Sequence, residues 1–166
     1  MNIIRIDKNN QINGEGLRCV IWVSGCENCC EQCHNPETWN YDLGTELDDS
    51  HMQEIYNQLN KEEISGITLT GGDPLSPKNR KATQKLCKTI KQKYPNKTIW
   101  IYTGHLFDEV KSFITDADVL IDGKYDYKLN PGVGKCLWRG STNQRIIDIQ
   151  ASLKTNQICM WSNDLF

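Results

Sequence analysis

Short apolar runs alternate with helix-like stretches along most of this chain, and that rhythm leaves few folds open. Residues 17–24 (LRCVIWVS), 66–70 (GITLT), 98–103 (TIWIYT) and 118–122 (DVLID) are rich in β-branched and aromatic side chains and read as four strands. Residues 145–149 (RIIDI) are a short further candidate. Between the strands, residues 48–61 carry Met52, Ile55, Tyr56 and Leu59 at helical spacing, with Asp49 or Ser50 as the expected cap. Residues 78–94 read as a basic amphipathic helix stopped near Pro95, and residues 106–114 as another helix. Strands joined by crossover helices imply βαβ units and a parallel sheet, with chemistry gathered at the carboxyl ends of the strands. Polar punctuation lies at those ends: a cysteine loop, then Gly71-Gly72-Asp73-Pro74, then Thr103-Gly104-His105, then Asp122-Gly123.

The 166 residues suit one domain spanning 1–166, with no repeat and no linker. With 19 basic and 21 acidic residues the formal charge is −2, and no basic run suggests a nucleic-acid partner. The first ten residues lack the apolar core of a secretory signal, and no run reaches the length of a membrane span. The expectation is a cytoplasmic protein without a membrane partner.

Eight cysteines are many for a reducing compartment, where they argue for metal or catalysis rather than disulfides. Four of them, Cys26, Cys29, Cys30 and Cys33, are crowded into SGCENCCEQCHN. Thiolates are preferred ligands of iron–sulfur clusters. Three thiolates on Cys26, Cys30 and Cys33 would hold three irons of a four-iron cube and leave the last open for a cofactor. The alternative is zinc, with Cys29 or His34 completing a closed structural site. Adjacent residues such as Cys29 and Cys30 rarely reach one tetrahedral ion without strain, so Cys29 is read as a spectator. Cys19, Cys87, Cys136 and Cys159 are read as small hydrophobes in the core.

With C-x3-C-x2-C after the first strand and GGDP after the second, the chain resembles the radical S-adenosylmethionine superfamily. NGEGLRCVIWVSGC, CHNPETWN, TLTGGDPL, IYTGH, DVLIDGKY and WRGSTNQRIID are further similar to the activating-protein family of the anaerobic ribonucleotide reductases, over residues 13–148. Gln32 departs from the pattern: many superfamily members carry an aromatic residue just before the third cysteine, and the activating proteins often carry glycine.

The resemblance implies a partial (βα) TIM-like barrel of radical SAM type, α/β with a mostly parallel sheet and open on one side. A full barrel typically needs about 250 residues, so this chain would supply only part of one and leave a wide mouth for a macromolecular substrate. It implies a [4Fe-4S] cluster on Cys26, Cys30 and Cys33 whose open iron is chelated by the methionine end of S-adenosyl-L-methionine. Reductive cleavage would give a 5′-deoxyadenosyl radical, which takes a hydrogen atom from a glycine of the anaerobic ribonucleotide reductase catalytic subunit. A flavodoxin-type electron donor comes with the family.

For cofactor binding the resemblance points to Gln32, His34, Asn35, Gly71, Gly72, Asp73, Tyr102 and Thr103. Glycines allow close backbone approach to a ligand, although Gly-Gly-Asp-Pro alone would be an ordinary turn. His34 is a candidate neighbour of the adenine. Tyr102 and Thr103, with His105, would line an adenosine pocket; alternatively Tyr102 is core. Asn35 and Glu37 would brace the loop. Asp122 and Lys124 either serve the rim or form an ordinary surface salt bridge. Arg139, Ser141, Asn143 and Arg145 match the C-terminal signature, where the arginines either meet a carboxylate or lie on a solvated edge. Two other functions stay open at this point: a radical enzyme for a small molecule, as in 7-deazaguanine biosynthesis, and a non-enzymatic zinc-binding module.

Overall fold

The computed structural model describes residues 1–132 and 134–162. Residues 133 and 163–166 of the expected domain lie outside the described residues. The elements run β1 (Asn2–Asn10), β2 (Leu17–Val23), β3 (Thr45–Glu46), α1 (Asp49–Leu59), β4 (Ile64–Gly71), α2 (Arg80–Lys93), β5 (Thr98–Tyr102), α3 (Phe107–Val110), β6 (Val119–Asp122), β7 (Arg145–Asp148), α4 (Ile149–Thr155) and β8 (Cys159–Met160). One sheet takes all eight strands in the order β3-β1-β2-β4-β5-β6-β7-β8.

The strand pairs β2–β4, β4–β5 and β5–β6 are parallel, as the crossover helices between them require. The outer pairs, β1–β2, β1–β3, β6–β7 and β7–β8, are antiparallel. This corrects the expected architecture. The chain is α/β with an open, mixed eight-stranded sheet and four α-helices among the described residues, not a partial (βα) TIM-like barrel. The sheet is not closed, and parallel pairing is confined to its centre.

The reason lies at the two ends of the chain. No strand is expected over residues 1–10 from the sequence; NIIRIDKNN mixes polar and apolar residues, unlike a buried central strand. A strand paired on an outer position can carry that polarity, and β1 does so against β2. At the other end β7 follows β6 without a crossover α-helix, so it returns antiparallel.

Period-2 alternation gives the sheet two unlike faces. Cys19, Ile21, Val23, Ile67, Leu69, Ile99, Ile101 and Leu120 pack with Ile55, Leu59, Leu86, Ile90, Phe107 and Ile149 of the helices. Their alternates include Arg18, Trp22, Thr68, Thr70, Trp100 and Tyr102, and they build the opposite face. There Trp100 stands edge-on to Trp138 and Trp161, at centroid distances of 5.0 and 5.9 Å. Asp48, rather than Asp49 or Ser50, caps α1 by accepting from the His51 amide at 3.0 Å. The helix expected over 106–114 shortens to α3 and a 3-10 turn at Lys111–Phe113.

Candidate metal and cofactor site

Because β2, β4, β5 and β6 run parallel, the loops after them leave the sheet at one rim. Between these loops and the N-terminal hairpin lies a cavity of about 650 Å³, within the range of small-molecule sites. Cys26, Cys30 and Cys33 line it, together with Gly71, Gly72 and Asp73. His34, Asn35, Tyr102 and Thr103 line it too. Gln32 does not.

The cysteine loop is closed at its neck. Gly25 N–H donates to the Thr38 carbonyl at 2.7 Å and Cys26 N–H to the Trp39 carbonyl at 3.2 Å. The 3-10 turn Pro36–Trp39 returns the chain to make these bonds. Inside the loop, Cys29 and Gln32 hold φ of 46° and 53°, the left-handed region that costs an L-residue energy. Glycine is easy there, which gives a physical reason for the glycine expected at position 32. Cys29 is exposed and does not line the cavity.

Burial raises the thiol pKa of both Cys26 and Cys30. Hydrogen bonds from Asn28 oppose the shift at Cys26, and the Lys124 charge opposes it at Cys30. The Asn35 amide donates to Cys33 Sγ at 3.4 Å. Among the described residues no three His, Cys, Asp or Glu side chains close on a point as one ion needs. Three thiols standing around a cavity of this size suit a polynuclear cluster better than mononuclear zinc.

The glycine turn differs in detail from expectation. A Cβ on Gly71, at φ 103°, would sit 2.7 Å from the Val23 carbonyl oxygen. One on Gly72 would sit 2.7 Å from that of Gly25. These glycines are therefore required by the end of β2 and the start of the cysteine loop. The Gly72 and Asp73 amides donate to Val23 and Gly25 at 2.7 and 2.8 Å, so neither is free for a carboxylate. Asp73 is spent as well: its carboxylate accepts from the Leu75 and Gly104 amides, Thr103 Oγ1 and Asn28 Nδ2. Thr103 is held by Asp73, and the Tyr102 hydroxyl donates to the Trp138 carbonyl at 2.7 Å. Burial raises the Tyr102 phenol pKa, so it stays protonated.

The C-terminal signature is largely architectural. Asp122 is fully buried and takes Arg145 on both oxygens and the Phe107 amide on one. That replaces the surface salt bridge considered for Asp122. Gln144 accepts from the Gly140 and Ser141 amides and donates to the Gly123 carbonyl. Arg139 lines the cavity, its Nη1 held on the Gln144 carbonyl at 2.8 Å. Cys136 also lines the cavity, and Cys159 is half-buried, so of the four cysteines expected in the core Cys19 and Cys87 are the two that lie there.

Sequence reasoning missed Asn28, Tyr125 and the β1 residues Arg5, Asp7 and Asn10, all of which line the cavity. The Tyr125 ring lies tilted by 50° against His34, centroids 4.8 Å apart, with its hydroxyl 3.3 Å from Nε2. No local signal marks these residues. Asn28 lies within the cysteine motif, but only the fold brings Asp73 to it.

Residues 12–147 match the family described as the 4Fe-4S single cluster domain, which sets the class. The chain is 43% identical over 148 residues to the anaerobic ribonucleoside-triphosphate reductase-activating protein of Enterobacteria phage T4, covering 88% of this chain and 93% of that one. It is 39% identical over 153 residues to the protein of that name from Haemophilus influenzae (88% and 97% covered). It is 39% identical over 140 residues to that of Escherichia coli K12 (80% and 89% covered). This chain belongs to the family of anaerobic ribonucleoside-triphosphate reductase-activating proteins, and its metal group is an iron–sulfur cluster.

Proposed function

We propose that this chain activates an anaerobic ribonucleotide reductase by generating a glycyl radical on its catalytic subunit. Cys26, Cys30 and Cys33 hold a [4Fe-4S] cluster, and S-adenosyl-L-methionine occupies the rest of the cavity. The observation that carries this reading is that three cysteines of one motif and the Gly-Gly turn of another line a single cavity. The family assignment supplies the partner. When bound, the cluster and cofactor supply one-electron cleavage of the sulfonium and hydrogen-atom abstraction from a glycine.

The protein's own part is binding, orientation and exclusion of water. With the Gly72 and Asp73 amides already used, carbonyl oxygens are what this turn can offer, and they suit an ammonium. Arg139 has no carboxylate partner among the described residues and suits a carboxylate. The His34–Tyr125 pair presents aromatic faces to a flat base. Asn35 serves through its amide on Cys33. Tyr102 and Thr103 wall the far side, and Gln32 acts only by shaping the loop.

A flavodoxin-type donor and a cytoplasmic location belong to the same reading. All eight cysteines are free, and among the described residues no helix is long and apolar enough to cross a membrane. The test is anaerobic incubation of the reduced, cluster-loaded protein with S-adenosylmethionine and the reductase. A glycyl-radical signal in electron paramagnetic resonance is expected. Cofactor cleavage without that signal overturns the activating role.

A further inference from the structure

Asn28 sits between Cys26 and Cys30 and lines the cavity. Its carboxamide nitrogen lies 3.4 Å from Cys26 Sγ and 2.7 Å from Asp73 Oδ2. The orientation is forced, because an ionised carboxylate only accepts and the nitrogen must face it. Asp73 is locked by three donors outside the cysteine loop, namely the Leu75 amide at 2.8 Å, Thr103 Oγ1 at 2.8 Å and the Gly104 amide at 3.0 Å. The opposite wall of the site therefore fixes the carboxamide. Gly104 supports this independently. A Cβ there would fall 2.3 Å from Asn28 Nδ2, so that glycine leaves the space the carboxamide fills.

We propose that Asn28 is a positioning residue that sets the reduction potential of the cluster, by directing an N–H at the Cys26 sulfur while Asp73 holds its other N–H. The inference rests on Cys26 as a cluster ligand. A hydrogen bond to a ligand sulfur withdraws charge, and it favours the reduced cluster, which carries one more electron.

The test uses full-length protein, reconstituted anaerobically with iron and sulfide and titrated without S-adenosylmethionine. Cluster reduction is followed by electron paramagnetic resonance in wild type, Asn28→Ala and Asn28→Leu; the leucine fills the same space without a donor. The expected result is a lower potential in both variants at wild-type iron and sulfide content. The reduction equilibrium should fall about tenfold, which is about 59 mV for one electron. An unchanged potential in a fully loaded variant overturns the role of Asn28 and leaves the cluster assignment standing. Loss of the cluster from both variants, with the apo fold intact, makes Asn28 a loop staple and also overturns it. A wild-type protein that assembles no cluster overturns the ligand assignment, and this inference with it.

Discussion

Asn28 Nδ2 donates to Asp73 Oδ2 at 2.7 Å, so one hydrogen bond joins the loop after β2 to the turn after β4. Asp73 is 1% exposed and takes four donors in all. Asn79 adds a second tie, donating to the Ser24 and Asp73 carbonyls at 2.8 and 3.1 Å. The two sequence motifs are thus one structural unit before any cofactor is considered.

Replacing Asp73 by alanine strips four donors of their acceptor, two of them buried (the Leu75 amide and Thr103 Oγ1). Each orphaned donor carries a desolvation cost, so the apo-protein should lose roughly 2–4 kcal/mol. Urea denaturation of the cluster-free form measures this. A loss below about 0.5 kcal/mol would contradict Asp73 as the junction.

Cys29 lies beside the proposed ligand Cys30 in sequence but is exposed on a left-handed backbone. Cys29→Ala should keep wild-type iron and sulfide after anaerobic reconstitution, whereas alanine at Cys26, Cys30 or Cys33 should abolish it. Iron loss in Cys29→Ala would make Cys29 a ligand.

Burial pushes the Cys19 and Cys87 thiols up to about 12. In the unfolded chain these thiols ionise near their ordinary value of 9.0. Above that value the unfolded state holds fewer protons than the folded one, so stability falls as pH rises. Each thiol contributes at most about 1.4 kcal/mol per pH unit. Urea midpoints of the apo-protein should drop between pH 9 and the folded value near 12. The double variant Cys19→Ala/Cys87→Ala should be less stable at neutral pH yet show a shallower decline. An identical slope would remove these thiols as its source.

Gly72→Ala pits a methyl group against the Gly25 carbonyl, one residue before Cys26. The cost should be about 1–3 kcal/mol, as for overpacking elsewhere. It should fall on the cysteine loop, so iron retention drops along with apo stability. A variant that is destabilised but fully loaded would separate the turn from the loop.

What the sequence revealed follows from how far each signal reaches. The cysteine spacing and the Gly-Gly turn are local, and the parallel centre announces itself through β-branched runs such as DVLID. The candidate strand at 145–149 is β7, but β1 was hidden because it mixes polar and apolar residues in a way that only its pairing with β2 explains. Gly71 and Gly72 were legible as glycines, but their cause was not, since the atoms that exclude a side chain belong to Val23 and Gly25. Likewise the role of Asp73 depends on Thr103 and Gly104, 30 and 31 residues away.

Arg18 is the extreme case, a charge concealed inside the apolar run LRCVIWVS. It is fully buried, and desolvation lowers its pKa to about 10. It has no carboxylate partner among the described residues. Five hydrogen bonds hold it instead, to Thr68 Oγ1, Thr98 Oγ1 and the carbonyls of Glu15, Ile67 and Thr98. The guanidinium therefore ties β2, β4 and β5 together on the face opposite the helices. Arg18→Met fills much of the space but leaves those acceptors unpaired, and the loss should be roughly 2–4 kcal/mol. Because β2, β4 and β5 each feed a loop of the site, cluster retention should fall with it. Thermal unfolding of the apo-protein, paired with iron and sulfide content after reconstitution, checks both effects. Wild-type values in both would mean that the sheet holds its register without the buried charge.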